Sequence, residues 1–134
     1  MKSPIPIIRT LLLDDQYVQT LLGGDKVWAN ELPQGTARPA IRLIEISGQP
    51  VGESLDRTTE PWERRVSVEC QGDTSSQADA LAERAKDALD GFYGNVGEFN
   101  VQALRVVSDA VIFEDAIRVI QRVIDFRIIY GHAT

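Results

Sequence analysis

The side chains that most often perform catalysis are scarce in this sequence. Its 134 residues include one histidine, His132, and one cysteine, Cys70. A general base or metal ligand usually occupies a shaped, partly desolvated site, whereas His132 lies close to a C-terminus that we expect to fray. Cys70 falls on the apolar phase of a strand pattern, which predicts a buried packing thiol and not a reactive one. A single cysteine and a single histidine do not make a zinc ligand set.

Motifs for nucleotide, hydrolase and calcium chemistry are also missing from the sequence. It contains no G-x-x-x-x-G-K-[ST] phosphate loop, no G-x-G-x-x-G and no G-x-S-x-G elbow. The acidic residues Asp109, Glu114 and Asp115 lack the spacing of a calcium loop, and a solvated turn explains them more simply. We therefore predict a protein that is not an enzyme, with no catalytic residues, no cofactor and no metal.

Arginines lie on or beside several of the predicted strands. Arginines make up 11 of the 14 basic residues. Those on or beside predicted strands are Arg42, Arg64, Arg65, Arg105, Arg118, Arg122 and Arg127. One interpretation is a solvated sheet face with ion pairs to Glu45, Glu69 and Asp125. The other is a subunit interface, because the planar donor fork of arginine is enriched in interfaces.

Length and composition indicate one ordinary globular domain over residues 1–134. With 43% hydrophobic and 25% charged residues, the chain has the balance of a folded protein. A net charge of −6 argues against a broad basic surface for nucleic acid, and only a local basic patch stays open. No apolar run approaches the roughly 18 residues of a membrane span, and the N-terminal run, interrupted by Arg9, does not read as a signal peptide. We expect synthesis in the cytoplasm, no membrane partner and no sequence-specific nucleic acid partner.

A strand followed by a capped helix organises the middle of the chain. The even positions from Val66 to Cys70 are apolar and alternate with polar residues, which predicts a strand with one buried face. Thr74 and Gln77 then form a capping-box pattern, and apolar residues recur every three or four positions. Gly91 suits a left-handed cap at the end of that helix. One apolar face of each element must cover the other.

Shorter patterns predict the remaining elements. They are two short helices or one kinked helix at 4–22, an irregular segment at 25–39, a strand at 41–47, a long polar connection at 48–61, a turn-rich link at 91–97, strands at 101–113 and 118–130, and a tail from 131. The segment 116–124 also fits a helix, and that alternative stays open. The order of elements predicts an α+β fold: a mainly antiparallel sheet of about four strands with helices packed on one face.

Taken together, these segments resemble a known protein family. A helix pair ends in Leu21-Leu22-Gly23, and Asn30-Glu-Leu-Pro-Gln-Gly35 and Arg38-Pro-Ala-Ile41 lead into the first strand. The central Trp62-Glu-Arg-Arg-Val-Ser-Val-Glu-Cys70 and the closing Arg122-Val-Ile-Asp-Phe-Arg-Ile-Ile-Tyr130 complete the succession. Their order and spacing are similar to those of the tail-completion (tail-terminator) proteins of long-tailed bacteriophages and prophages, over nearly the whole chain.

The resemblance implies a structural protein of the virion and not an enzyme. Such proteins are small α+β subunits that assemble as a ring, often a hexamer, on the head-proximal end of the tail tube. There they end tube polymerisation and prepare head-tail joining. The implied partners are further copies of the chain, the tail tube protein and a head-tail connector protein. The implied location is the virion, after assembly in the host cytoplasm.

A loop and the start of the central strand supply the candidate interface residues. We expect the connection at 48–61, with Arg57, to contact a neighbouring subunit or the tube, because loops of this length are usually functional or disordered. Trp62, Arg64 and Arg65 follow it and complete the predicted interface, although Trp62 also suits a core anchor. Two other functions stay open. One is another component of the phage neck or head-tail connector, and the other is a small non-enzymatic α+β binding module with a concave apolar pocket.

Overall fold

The computed structural model describes residues 2–46, 60–114 and 119–134. Its helices and strands, in chain order, are α1 (Ile5–Asp14), α2 (Gln16–Leu22), β1 (Val27–Ala29), β2 (Ala40–Ile46), β3 (Trp62–Gly72), α3 (Ser75–Leu89), β4 (Gly94–Val96), β5 (Phe99–Glu114) and β6 (Val119–His132). Most of the predicted connection at 48–61, including Arg57, lies outside the described residues.

The strands form one sheet in the order β1-β2-β3-β6-β5-β4. β1 pairs with β2 in parallel, and the other pairings are antiparallel. The prediction of an α+β fold with a mainly antiparallel sheet is confirmed, but the expected number of about four strands is wrong, since the described residues contain six. The two unexpected strands, β1 and β4, have three residues each and lie in segments predicted to be irregular or turn-rich. Three residues are too few for an alternation pattern, so only their backbone pairing defines them.

Alternate positions of β3 divide the sheet into two faces. Val66, Val68 and Cys70 have no exposed surface because they lie under the helices, as the period of two predicts. Gly72 continues this face, and a Cβ atom there would lie 2.7 Å from the backbone nitrogen of Ala78 in α3. The missing side chain at Gly72 therefore lets the start of α3 lie directly against β3.

The buried apolar side chains form one continuous cluster between the helices and this face of the sheet. α1 contributes Ile8 and Leu12, α2 contributes Leu22, and α3 contributes Leu81 and Leu89, all of them 1% exposed or less. Because all three helices bury their apolar residues in this cluster, the other side of the sheet carries no helix among the described residues. We call that side the helix-free face.

Local hydrogen bonds fix where the helices begin and end. Asp15 accepts hydrogen bonds from two backbone N–H groups at the start of α2. The capping pattern of α3 is confirmed: Thr74 Oγ1 accepts from the N–H of Gln77 over 3.1 Å, and Gln77 Oε1 accepts from the N–H of Asp73 over 2.7 Å. Gly91 has a φ of 84°, the left-handed conformation expected just after this helix.

The last strand overturns two predictions. Residues 119–124 are extended, so the helical alternative for 116–124 is wrong for the described part of that segment. The predicted tail begins too early, since β6 continues to His132 and the N–H of Ala133 donates to the carbonyl oxygen of Glu98 over 2.8 Å. The His132 ring packs between Phe99 and Trp62, with ring centroids 6.0 and 5.2 Å away, and these contacts hold the strand end in place.

Candidate assembly surface

Among the described residues, much of the outer edge of β5 has no partner strand. β4 pairs only with residues 99–101 of β5. The connection after α3 covers the next few residues: the N–H of Gly91 donates to the carbonyl oxygen of Leu104 over 2.7 Å, and the N–H of Val106 donates to Asp90 Oδ1 over 3.1 Å. From Val107 onward, no strand among the described residues pairs with this edge. Such an edge presents N–H and C=O groups that can pair with another chain.

This unpaired end of β5 is also apolar. The exposed fractions are 42% for Val107, 65% for Val111, 41% for Ile112 and 57% for Phe113, and we call these four residues the β5 strip. Register with β6 places Val111 and Phe113 on the helix-covered side and Ile112 on the helix-free face. An apolar edge exposed on both faces marks an interaction surface or an aggregation-prone site.

The sequence itself contains a signal for the β5 strip. Residues 111–113 read Val-Ile-Phe, three consecutive apolar residues inside a predicted strand. Such a run does not fit a strand with one buried and one solvated face, because one of the two faces must then expose apolar side chains. The strand pattern of this run predicts no function, and only the exposure of its side chains in the structure marks it as an interaction surface.

Three arginines lie side by side across the helix-free face. Arg65 in β3 is paired with Arg127 in β6, and Arg127 is paired with Arg105 in β5. Directly opposed residues in adjacent antiparallel strands have Cβ atoms about 4.5–5.5 Å apart, with their side chains on the same face. We call these three residues the arginine row.

The positive charge of the arginine row is only partly compensated. All three side chains are exposed. Arg127 Nε contacts Glu63 Oε1 in an ion pair, and Arg105 extends towards Gly91 at the edge of β5. Neither Arg65 nor Arg105 forms an ion pair with another residue in the described ranges. Like charges at opposed positions destabilise a sheet, so the stability of the isolated chain gives no reason for the row.

The three predicted interface residues that the structure describes, Trp62, Arg64 and Arg65, occupy both faces of the sheet. Trp62 and Arg64 are 5% and 8% exposed on the helix-covered face, where Arg64 Nε lies 3.2 Å from Glu45 Oε1. Arg65 is exposed on the helix-free face, because successive residues of a strand point to opposite sides. The structure therefore brings only Arg65 to the arginine row. An interface role for Arg57, Trp62, Arg64 and Arg65 stays a prediction.

The ion pairs expected for a solvated sheet face form only in part. Arg42 Nη2 lies 2.7 Å from Glu69 Oε1 on the helix-free face, as predicted. Glu45 pairs instead with Arg64 on the opposite face, and Asp125 accepts hydrogen bonds from two serine hydroxyls. The two interpretations therefore apply to different residues: Arg42 is paired within the fold, whereas the arginine row offers charge to a partner.

Arg122 lies at the centre of an ion-pair cluster that joins α3 to β5 and β6. It contacts Asp109, lies 3.0 Å from Asp79 Oδ1 and reaches Glu83 Oε1 at 3.4 Å. Lys86 Nζ lies 2.9 Å from Asp109 Oδ2. The hydrogen bond from Arg122 holds the pKa of Asp109 below its usual range, and that from Lys86 lowers the pKa of Glu83. Because these charges satisfy one another, the cluster is structural.

A polar cleft of about 360 Å³ lies beside β2 on the helix-free face. Its lining residues are Glu31, Leu32, Arg38, Arg42, Gln71, Val119 and Gln121. Polar groups in the cleft bond to one another: Arg38 Nε donates to Gln71 Oε1 over 3.2 Å, and Gln71 Nε2 donates to Gln121 Oε1 over 3.4 Å. The cleft therefore differs from the apolar pocket expected of a binding module.

Within the described residues, no helix is long and apolar enough to cross a membrane. No three His, Cys, Asp or Glu side chains there are grouped so that they could hold a metal ion.

The fold is shared with a protein in a solved particle structure. A chain in the structure described as "Virion of native gene transfer agent (GTA) particle" matches with a TM-score of 0.70, and the match covers 92% of this chain and 92% of that chain. The two sequences are 17% identical. At this identity the likeness establishes a common α+β fold and no more.

The sequence itself identifies the family. It matches the family of tail completion protein gp17 over residues 7–131, and the chain belongs to that family. The resemblance drawn from its segments is thereby confirmed. Membership indicates a structural protein of a phage tail. A comparison with curated proteins finds no match.

Proposed function

We propose that this chain is a structural tail-completion protein that forms a ring on the head-proximal end of the tail tube. The ring ends tube polymerisation and prepares head-tail joining. The family match over residues 7–131 carries the proposal. The exposed apolar β5 strip supports it, because a subunit that assembles needs such a surface. The chain acts as a single domain with no catalytic, cofactor-binding or metal-binding role.

The proposed partners are further copies of the chain, in a ring of six, together with the tail tube protein and a head-tail connector protein. A ring requires heterologous contacts, in which two different patches of one molecule meet on neighbouring copies. The β5 strip supplies one apolar patch of this kind. The protein resides in the virion after assembly in the host cytoplasm, and neither a membrane nor a specific nucleic-acid sequence takes part.

Self-association is tested by light scattering coupled to size exclusion, over a range of protein and salt concentrations. We expect a mass near six subunits, or a mass that rises towards six subunits with concentration. A ring that closes only on the tube would leave a monomer in this measurement, so a second assay is needed.

Tube capping is tested by adding the protein to polymerising tail tube protein and measuring tube lengths by electron microscopy. We expect shorter tubes that carry extra density at one end. Tubes of unchanged length at saturating protein, together with a strict monomer in solution, would refute the proposal. Binding to a connector protein in that case would favour the alternative of another neck component.

A further inference from the structure

The arginine row has the features of a docking surface for an acidic partner. Its residues Arg65, Arg127 and Arg105 are exposed and lie at paired positions, and among the described residues only Arg127 has an ion pair, with Glu63. Because opposed like charges cost stability in the free chain, carboxylates from a second molecule would relieve the repulsion. Arginine also forms bidentate hydrogen bonds with carboxylates, which adds geometric selectivity.

Carboxylates of the required kind lie on the opposite side of the same molecule. Asp14 at the end of α1 and Asp87 in α3 are exposed, and neither forms an ion pair within the described residues. Lys86 forms ion pairs with Glu83 and Asp109. The other basic residue of α3, Arg84, is exposed. The three helices carry Asp14, Asp79, Glu83 and Asp87 against Arg9, Arg84 and Lys86, four acidic residues against three basic ones. The helical layer is therefore weakly acidic, whereas the arginine row is basic.

We propose that the arginine row of one copy binds carboxylates on the helical layer of the next copy, including Asp14 and Asp87. This inference rests on the proposed function, because it specifies a contact within the proposed ring. Charge complementarity selects the occupant, since the chain carries a net charge of −6 and supplies the carboxylates itself. The row ends at Arg105 in β5, the strand that also carries the β5 strip, so a neighbour at that edge can contact both.

The arginine row also determines the symmetry of the contact. Two copies that met through their helix-free faces around a two-fold axis would bring arginine against arginine. Such a pairing is electrostatically unfavourable, whereas row against helical layer pairs opposite charges. The favoured contact is therefore heterologous, and heterologous contacts generate rings when the rotation closes.

The test uses charge reversal on each side of the contact. The row variant carries Arg65→Glu with Arg127→Glu, and the helix variant carries Asp14→Lys with Asp87→Lys. A control carries Lys2→Glu with Lys26→Glu, which changes the net charge as much as the row variant does but at other places. Circular dichroism melting of each variant confirms that it folds. Self-association is read by light scattering, and tube capping by tube length with the tail tube protein present.

We expect each charge-reversed variant alone to need on the order of tenfold to a hundredfold more protein for half-maximal association or capping. An equimolar mixture of the two variants should recover the wild-type behaviour. In the mixture every contact again joins opposite charges, so the two variants would alternate around an even-numbered ring. The control should behave as the wild type does, and added salt should weaken wild-type association.

Three results would overturn the inference. The first is that the wild type and the row variant associate or cap tubes equally well. That result would leave the proposed function intact. The second is two impaired variants whose mixture stays impaired. The third is a row variant that associates normally but no longer binds a duplex DNA that the wild type binds. That result would assign the row to nucleic acid. A wild-type chain that neither associates nor caps tubes would refute the proposed function as well.

Discussion

Cys70 shows what burial in β3 does to a single side chain. It has no exposed surface, and desolvation raises the pKa of its thiol to about 12. At pH about 8 only roughly one molecule in ten thousand would carry the reactive thiolate. We therefore expect the folded protein to leave a colorimetric disulfide reagent unreacted, and the denatured protein to react with one equivalent. Rapid reaction of the folded protein would show that β3 opens locally and would contradict the packing described here.

The sequence predicts the burial of a single side chain well where the pattern within its own strand determines it. It predicts poorly where the pairing with a neighbouring strand determines it. The burial of Cys70 follows from a local alternation in β3, whereas Ser67 and Glu69, on the polar phase of the same strand, are only 5% and 7% exposed. The arginine row depends on the register of β5, which shifts between Val101 and Ala103 and again between Val106 and Ser108. Each one-residue shift reverses which side chains face the helices, so alternation along β5 alone does not show that Arg105 lies beside Arg127.

At the scale of elements, the close packing of α3 against β3 depends on Gly72. We expect Gly72→Ala to lower the free energy of unfolding by about 1–3 kcal/mol, because the new Cβ would lie 2.7 Å from the backbone nitrogen of Ala78. Chemical denaturation with circular dichroism measures the change. Adding Ala78→Gly should give no rescue, since the contact is with backbone. A rescued double variant would place the clash on the side chain and refute this explanation.

The Arg122 cluster holds the other side of α3 and gives stability a pH dependence. Arg122→Met should cost about 1–3 kcal/mol near neutral pH, because charged hydrogen bonds to Asp79 and Asp109 are lost. The pKa of Asp109 is depressed in the folded state, so its contribution is present above its unfolded pKa of about 4 and is lost as pH falls through the folded pKa. The difference between the wild type and the variant should therefore shrink in acid.

The measurement for this cluster is a set of denaturation curves at several pH values for the wild type and Arg122→Met. Arg84→Met is the matched control, since Arg84 lies in α3, the helix that the Arg122 cluster joins to the sheet, and contacts the exposed ring of Tyr17. We expect the control to change stability by less than about 0.5 kcal/mol at every pH. A difference for Arg122→Met that stays constant into acid would mean that its ion pairs contribute nothing.

The elements also show how far local patterns reach. β3, α3 and the cap at Thr74 follow from periodicity and a short-range hydrogen bond, and the sequence predicts all three. β1 and β4 were not, because a three-residue strand exists only through its pairing with β2 or β5. The Arg122 cluster was missed for a similar reason, since it joins residues from three elements that are distant in sequence.

At the scale of the whole molecule, the β5 strip and the arginine row are two exposed surfaces of the part of the chain that the structure describes. The strip places four apolar side chains beside an edge that no described strand pairs with, and the row places three cations on one face. A monomer would be expected to blunt such an edge with charged side chains or prolines. Their presence together in one small chain is consistent with a subunit that completes its sheet edge and its charge balance on neighbours.

The strip makes a prediction separate from that of the row. Val111→Asp combined with Phe113→Asp should abolish self-association and tube capping, because charges would enter an apolar contact. Stability should change by less than about 1 kcal/mol, since the two side chains are 65% and 57% exposed in the free chain. Tyr93→Asp is the control, because Tyr93 is 79% exposed outside the strip. Light scattering, tube lengths and thermal melts measured on the same preparations separate assembly from folding. If the double variant still caps tubes while Tyr93→Asp does not, the apolar contact lies near β4 and not on the β5 edge.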